Sequence, residues 1–265
     1  MITVERPIHP SVVTLTVNRP EKRNALNAAV ALALTEAFVE AENDPTVRAV
    51  VLTGAGTTFS SGADLAALSA LATATFEENL QDSRVLAGLF ETIYTSNKPV
   101  IARVNGHAIA GGCGLAAVCD FAIATSKSKL GFTEVKIGFV PAIISVYLLE
   151  RLPESVLRPA FLTGALFSAH EALAMGLLHQ VVEAERLDEA VSGLAQTLVR
   201  DASGHAQAST KQLLRERHAQ AHGPALEVAI RRNAEARGTE SCRAGVTAFL
   251  EKNAFPWQQK WETNA

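Results

Sequence analysis

Cysteine is scarce in this sequence, and the few cysteines present form no paired arrangement. The 265 residues contain only Cys113, Cys119 and Cys242. None belongs to a C-x-x-C pair, and none stands at the Cys/His spacing of a zinc site. The pattern argues against a disulfide framework and a structural metal. It is typical of a protein that works in the reducing cytosol.

The sequence also lacks a long hydrophobic run and any concentration of charge. Residues 1–10 do not have the basic start and apolar centre of a signal peptide, and the longest apolar stretch, 108–118, is too short to cross a bilayer. The 24 Lys and Arg residues are scattered and face 27 Asp and Glu residues, so no basic nucleic-acid surface is indicated. We expect a soluble, cytoplasmic protein that binds neither membranes nor nucleic acids.

Several common catalytic and nucleotide-binding motifs are missing. The pair Gly54 and Gly56 follows a predicted strand, but the third glycine of G-x-G-x-x-G would fall on Phe59, so the dinucleotide fingerprint fails. Neither a phosphate-binding P-loop nor a G-x-S-x-G elbow is present. Ser60, Ser61, His107 and Asp64 have no spacing that requires a catalytic triad.

The residues that are present predict an α/β protein with a helical end. Apolar residues make up 48% of the chain and charged residues 19%, which is ordinary for a globular protein with a sizeable core. Strands are predicted at 12–17, 47–52, 100–104, 120–124 and 129–132. Helices are predicted after Asn24, over 76–93 and from Leu115. From Asp188 the pattern is helical throughout. We therefore divide the chain into an α/β core, 1–187, and a helical C-terminal region, 188–265.

Two glycine-rich segments are candidate binding loops. They are 58–65, T-F-S-S-G-A-D-L, and 105–115, N-G-H-A-I-A-G-G-C-G-L. Each places small residues where extended chain meets a predicted helix, and the first N–H groups of a helix have no partner inside it. Such groups can bind developing negative charge. The competing interpretation is that the glycines serve only close packing of helix on strand.

Glu134 is the candidate acid/base residue. It lies among apolar residues in the segment 132–138, F-T-E-V-K-I-G. Burial there would raise the pKa of the carboxyl group, as expected of a proton-transfer residue. The alternative is a surface glutamate paired with Lys136, and spacing alone favours that alternative.

Four segments together resemble the crotonase (enoyl-CoA hydratase/isomerase) superfamily, over nearly the whole chain. They are N-R-P-E-K-R-N-A-L-N at 18–27, F-S-S-G-A-D-L at 59–65, K-P-V-I-A-R-V-N-G-H-A-I-A-G-G-C at 98–113, and F-L-E-K at 249–252. The resemblance implies a spiral of ββα units with a helical trimerisation region, assembled as a homotrimer or hexamer. It also implies an acyl-CoA substrate that carries its own coenzyme A, with no cofactor and no metal.

The resemblance also assigns roles to individual residues. The backbone N–H groups of Ala63 and Gly111 form the oxyanion hole, and Glu134 is the catalytic carboxylate. The residues implied to contact the CoA thioester are Arg23, Ala25, Leu26, Ala63, Asp64, Leu65 and Gly111, with Phe249 and Lys252 reaching the CoA of a neighbouring subunit. The acyl group is expected to lie against the helices after Asp64 and over 76–89.

One departure from the family pattern bears on the reaction. Family hydratases hold a water between two glutamates, and here the first falls on Gly114 while the second matches Glu134. A further departure is Ala110, where many members have glycine. The segment 132–145 is similar to a methylglutaconyl-CoA-type hydratase subgroup, which favours a hydratase or dehydratase with one glutamate. The alternatives are a Δ3,Δ2-enoyl-CoA isomerase that uses Glu134 alone, then decarboxylation or thioester hydrolysis, and finally a non-catalytic acyl-CoA-binding homologue.

Overall fold

The computed structural model describes residues 1–64, 67, 69 and 73–258. Leu65, one of the residues implied to contact CoA, lies outside them. The strands are β1 (Ile2–His9), β2 (Val12–Val17), β3 (Ala49–Gly54), β4 (Thr58–Ser60), β5 (Val100–Val104), β6 (His107–Ile109), β7 (Phe121–Thr125), β8 (Lys129–Gly131), β9 (Phe167–Ser168) and β10 (Gln180–Val182). The α-helices are α1 (Ala28–Asn43), α2 (Phe76–Thr95), α3 (Gly111–Val118), α4 (Ala142–Leu149), α5 (Glu154–Thr163), α6 (Ala169–Met175), α7 (Leu187–Arg200), α8 (Gly204–Glu216), α9 (Ala219–Arg237) and α10 (Glu240–Glu251). Short 3₁₀ helices cover Pro20–Lys22, Glu134–Ile137 and Ala184–Arg186.

From β3 to β8, successive strands alternate between two sheets. One sheet has the order β1-β2-β3-β5-β7-β10, and the other has the order β4-β6-β8-β9. All pairs are parallel except β1 with β2 and β8 with β9. Each pass of the chain adds one strand to each sheet, as β3 and β4, β5 and β6, and β7 and β8 do. This is the ββα spiral that the resemblance implies.

The larger sheet is covered on both faces because its strands alternate their side chains between the two sides. One face packs against α7, through the cluster Val12, Ala49, Val51, Ile101, Ile123, Leu187, Val191 and Ala195. The opposite face contributes Val13, Leu15, Val50 and Leu52 to the main core, which includes α1 and α2. The buried, nearly continuous apolar strands are typical of a parallel sheet with helices on both sides.

Two helices begin at other residues than the sequence pattern predicts. Helix α1 begins at Ala28, not directly after Asn24, because the Asn27 side chain caps it by accepting a hydrogen bond of 3.0 Å from the Val30 N–H. Helix α3 begins at Gly111, not at Leu115. Close packing overrides the low helix propensity of glycine there, since a Cβ at Gly112 would lie 2.4 Å from the carbonyl oxygen of Ser60.

The helical region begins at Leu187, next to the predicted boundary at Asp188. Within it, α9 packs against α2 and α4 of the preceding part of the chain. The division into two regions stays a prediction. Leu213, Leu214 and Val228 are more than half exposed. Such apolar surface suits a subunit contact, but the trimer or hexamer also stays a prediction. No helix among the described residues is long and apolar enough to span a membrane.

Candidate active site

One large cavity, of about 680 Å³, collects the predicted site residues. Its walls come from the segment before α1, the loop after β4, the start of α3, the 3₁₀ helix at Glu134, and helices α2, α4, α9 and α10. A mainly apolar cleft of this size with a few converging polar groups is typical of a small-molecule site.

Asn24 holds the loops at the cavity mouth in place. It is fully buried, and its φ of 54° lies in the left-handed region that asparagine tolerates better than most residues. Its Nδ2 donates to the carbonyls of Ala55 (2.9 Å) and Thr58 (2.7 Å), and its own carbonyl accepts a hydrogen bond from the Ser60 hydroxyl at 2.8 Å. Asn24 therefore ties the segment before α1 to the turn between β3 and β4 and to the end of β4.

Two backbone N–H groups are left without partners where the glycine-rich loops meet. Leu26 forms a parallel bridge with Ala63, in which the Leu26 N–H donates to Gly62 O (2.7 Å) and the Asp64 N–H donates to Leu26 O (2.7 Å). This pairing uses the Gly62 carbonyl and the Asp64 N–H on either side of Ala63, while the Ala63 N–H donates to no described residue. The N–H of Gly111, at the first turn of α3, is likewise unpaired among the described residues.

Glycine lets these two loops approach each other. A Cβ at Gly62, where φ is +83°, would lie 2.6 Å from the Ile109 carbonyl oxygen and 3.1 Å from the backbone nitrogen of Gly111. The backbone nitrogens of Ala63 and Gly111 are thus brought to neighbouring positions on the wall of the cavity, which both residues line. Two such donors, one at a helix N-terminus, can stabilise an oxyanion.

Ala110, immediately before the second donor, has a strained backbone. Its φ of 50° and ψ of −124° lie in a region that residues with a Cβ rarely occupy. The resemblance implies glycine here in many family members, and this backbone conformation is one that glycine adopts more easily than alanine.

Glu134 is buried, and the surface-pair interpretation is wrong. Its side chain stands at the start of a 3₁₀ helix, only 7% exposed, and it forms no ion pair with Lys136 within the described part of the chain. Burial raises the pKa of the Glu134 carboxyl from its ordinary 4.5 to about 7. Its Oε2 is inaccessible and accepts no hydrogen bond from any described residue. Glu134 lines the same cavity as Ala63 and Gly111, so it is placed to exchange protons with a bound ligand.

Ile144 occupies the space beside Gly114. A Cβ at Gly114 would lie 2.9 Å from Cγ1 and 3.2 Å from Cβ of Ile144, which itself lines the cavity from α4. The space that a glutamate side chain at position 114 would need is therefore occupied by the branched, apolar side chain of Ile144. The departure at Gly114 was recognised from the sequence. Its contact with Ile144, thirty positions further along the chain, was not predicted.

Most residues implied to contact CoA line the cavity. Arg23, Ala25, Leu26 and Asp64 do so, and an ion pair between Arg19 Nη2 and Asp64 Oδ2 (3.3 Å) helps to hold the mouth. At the other end of the chain, Phe249 lines the cavity of its own chain, whereas Lys252 is not among the lining residues.

The polar lining residues that were not predicted individually from the sequence include Asp82 on α2, and Asn233 and Arg237 on α9. The sequence predicted that residues 76–89 contact the acyl group, and Asp82 and Leu86, which line the cavity, lie within that range. Asn233 and Arg237 are four residues apart and so share one face of a helix. Two polar residues four positions apart do not by themselves indicate a binding site. Their position in the cavity depends on how α9 packs against α2.

Metal and thiol chemistry find no support in the described residues. No group of three His, Cys, Asp or Glu side chains among them could hold a metal ion. Cys113, Cys119 and Cys242 are buried and unpaired in disulfides, and burial raises the pKa of each thiol. These thiols are core residues.

Comparison with known proteins agrees with the fold. Residues 8–260 match the family model described as enoyl-CoA hydratase/isomerase. A Thermus thermophilus relative is 41% identical over 252 residues, which cover 95% of this chain and 98% of the relative. The crotonyl-CoA hydratase of Syntrophomonas wolfei is 34% identical over 257 residues, covering 91% of this chain and 92% of the relative. The crystal structure of an enoyl-CoA hydratase from Mycobacterium avium superposes with a TM-score of 0.83 at 34% identity, over 97% of this chain and 98% of that one.

The two interleaved sheets define a protein with the crotonase fold. The chain belongs to the enoyl-CoA hydratase/isomerase family. The specific resemblance of 132–145 to the methylglutaconyl-CoA-type subgroup stays a prediction.

Proposed function

We propose that this protein is an enoyl-CoA hydratase-type lyase that adds water to, or removes it from, the α,β double bond of an acyl-CoA thioester. The observation that carries the proposal is the buried Glu134, whose Oε2 has no partner among the described residues and which shares a cavity with two unpaired backbone N–H groups. The reaction uses no metal and no cofactor other than the coenzyme A of the substrate.

The oxyanion hole is assigned to the N–H groups of Ala63 and Gly111. When a nucleophile adds to C3 of an enoyl thioester, the electron pair of the double bond moves toward the thioester oxygen, which becomes an enolate oxyanion. Two donors aimed at that oxygen stabilise the charge, and losing one such donor in other enzymes costs about 3–4 kcal/mol. Neither donor depends on a side chain, so the departure at Ala110 leaves both in place.

Glu134 is assigned as base and then acid. As a carboxylate it takes a proton from water while the water oxygen bonds to C3, and as a carboxylic acid it returns a proton to C2 of the enolate. A pKa of about 7 keeps both forms available near neutral pH, where proton exchange in both directions is most effective.

The water must be oriented without a second carboxylate. Ser61 and Thr133 both line the cavity and supply hydroxyl groups that can hold a water beside the substrate. Support for hydration over other reactions comes from the named relatives, among them the crotonyl-CoA hydratase of Syntrophomonas wolfei.

A Δ3,Δ2-enoyl-CoA isomerase is the second candidate, and Ile144 is the observation that favours it. Moving a double bond needs only one group to remove a proton at C2 and return it at C4. The apolar Ile144 beside Gly114 excludes water from the place where the missing first glutamate of the family pair would hold it. A non-catalytic acyl-CoA-binding protein is the third candidate, which the buried, raised-pKa Glu134 disfavours.

Turnover of two thioesters separates the three candidates. The hydratase proposal expects the purified protein to bleach the ultraviolet absorbance of the conjugated 2-enoyl thioester in crotonyl-CoA. An isomerase would instead create that absorbance from a 3-enoyl-CoA. If the protein binds both thioesters and changes neither, the catalytic proposal is wrong.

A double substitution is expected to strengthen hydration by rebuilding the carboxylate pair. Gly114→Glu alone should lower activity, because its Cβ would meet Ile144 at 2.9 Å. Combined with Ile144→Ala, the new carboxylate gains space and can orient water, so hydration of crotonyl-CoA should rise at least about 10-fold over Ile144→Ala alone, as general-base contacts give 10²–10⁴-fold. Steady-state kinetics of the single and double variants measure this. A double variant no faster than Ile144→Ala would show that water orientation is not what the site lacks.

A further inference from the structure

A polar cluster lines the cavity where helices α2 and α9 pack together. It consists of Asp82 on α2 and of Asn233 and Arg237 on α9, which lie on one face of that helix. The proposed reaction at the thioester uses none of these three side chains. An apolar contact would fill this position between two helices at less cost in desolvation.

Arg237 keeps one edge of its guanidinium group free of partners. It is only 5% exposed, its Nη1 donates to Asp82 Oδ2, and its guanidinium carbon lies 6.0 Å from the centre of the Phe139 ring. Its Nε is fully buried and has no partner among the described residues, and no described residue accepts a hydrogen bond from Nη2. Nε and Nη2 together form the fork with which arginine binds a carboxylate through two parallel hydrogen bonds.

Asn233 adds a further donor. It is 3% exposed, and its Oδ1 accepts a hydrogen bond of 2.9 Å from the Ser83 hydroxyl. The same hydroxyl lies 2.8 Å from the Asn79 carbonyl oxygen. In this orientation of the amide, Nδ2 is the free end and donates to no described residue. Asn233 lines the cavity beside Arg237.

The cluster therefore has more donors than acceptors. Its spare groups are the Nε–Nη2 edge of Arg237 and the amide NH₂ of Asn233, while Asp82, the only acid of the three, already accepts from Arg237. Buried donors without acceptors cost free energy unless a ligand supplies the acceptors. A planar group with two oxygens and a negative charge matches the free edge of Arg237.

We propose that the acyl pocket selects an acyl chain that bears a carboxylate, bound by the Nε–Nη2 edge of Arg237 and by Nδ2 of Asn233. Asp82 positions the guanidinium group and lowers the net positive charge of the cluster. This inference rests on the proposed acyl-CoA reaction, since it assigns the other end of the same substrate. It makes Arg237 and Asn233 specificity-determining residues.

Matched pairs of substrates test the inference. Straight-chain 2-enoyl-CoA thioesters are prepared at several chain lengths, each length ending either in a carboxylate or in a methyl group. At the length that reaches the cluster, kcat/KM should be at least about 10-fold higher for the carboxylate, since hydrogen bonds to charged groups contribute about 10-fold or more. A preference for the methyl-ended thioester at every length overturns the proposal.

Three variants connect that preference to the cluster. Arg237→Met should lower the carboxylate-to-methyl ratio of kcat/KM by about 10–100-fold, and Arg237→Lys should lower it less, since the charge stays while the fork is lost. Asp82→Asn should raise the ratio by about 3–10-fold, because it removes a negative charge that repels the substrate carboxylate. Arg232→Met, on the same helix but exposed and paired with Glu235, is the control and should leave the ratio unchanged.

Asp82→Asn separates recognition from a purely structural ion pair. If the pair serves only to join α2 to α9, Asp82→Asn lowers thermal stability without raising the ratio, and the proposal is wrong even if Arg237→Met fails to fold. If no enoyl-CoA is converted, the proposed function fails but the inference can still be judged. Calorimetry with saturated acyl-CoA thioesters then compares the carboxylate-ended and methyl-ended ligands, and equal or weaker binding of the carboxylate overturns it.

Discussion

Replacing Glu134 with glutamine is expected to lower kcat by about 10²–10⁴-fold while acyl-CoA affinity changes little. Glutamine keeps the size of the side chain but cannot take a proton. Of the cavity carboxylates, Asp64 and Asp82 are paired with arginines, whereas Glu134 forms no ion pair with a described residue. Steady-state kinetics with crotonyl-CoA, together with calorimetry of a saturated acyl-CoA, separate the two effects. The exposed Glu154, changed to glutamine, is the control. Full activity in Glu134→Gln would end the single-carboxylate mechanism.

The same substitution should increase stability at alkaline pH. The folded protein raises the pKa of Glu134 from 4.5 to about 7, so wild-type stability is lost as the pH rises from 4.5 through 7 and the buried group ionises. A shift of this size corresponds to about 3 kcal/mol, and Glu134→Gln does not bear this cost. Urea unfolding should show the variant more stable than wild type at pH 8 and nearly equal to it at pH 4.5. Parallel stability curves for the two proteins would mean that Glu134 is not held at a raised pKa.

Removing the Gly111 N–H is expected to have the second largest effect. Gly111→Pro deletes the donor, and kcat should fall by about 10²–10³-fold, as for a lost oxyanion-hole donor. Proline is common at the first position of a helix, where Gly111 stands in α3, but Ala110 must leave its conformation (φ 50°, ψ −124°) to precede a proline. Kinetics of the folded variant, with circular dichroism to check the fold, measure the loss.

Gly111→Ala is the matched control. It retains the N–H, and its Cβ would lie 3.7 Å from Leu26 Cδ1 and 3.9 Å from Gly62 Cα, which are ordinary contacts. This variant should keep activity within about 3-fold, since it creates no cavity, clash or lost bond. If Gly111→Pro and Gly111→Ala have equal activity, the Gly111 N–H does not stabilise the enolate.

The sequence predicted the parts of the site that depend on local backbone. The loops around Ala63 and Gly111 can be recognised in the sequence by their glycines. Gly62 and Gly112 are required because a Cβ at either position would clash with neighbouring backbone. The strands β2 and β5 are visible because short runs rich in valine and isoleucine favour buried strands.

Features that depend on distant packing were not predictable. The sequence around Glu134 suits an exposed glutamate paired with Lys136, and only the surrounding elements bury it. Ile144 fills the space beside Gly114 because α4 packs on α3. The bond between Arg237 and Asp82 joins residues 155 positions apart, which no local pattern reveals.

The short elements were missed for a similar reason. The strand β6 has only three residues, His107–Ile109, and gains its stability from β4 and β8 on either side. The edge strand β1 is mostly exposed and contains Pro7, so it lacks the apolar alternation that predicts a strand.

Hydrogen exchange at C2 of a bound thioester tests the central claim most directly, because it needs only the oxyanion hole and the base. Butyryl-CoA is incubated with the protein in D₂O, and deuterium at C2 is followed by mass spectrometry. Wild-type protein should incorporate deuterium, with a rate that falls as the pH drops below about 7 and the Glu134 carboxylate is protonated. Glu134→Gln should exchange at least about 10²-fold more slowly. Exchange at the wild-type rate in Glu134→Gln, or no exchange by wild-type protein that binds butyryl-CoA, would contradict the account.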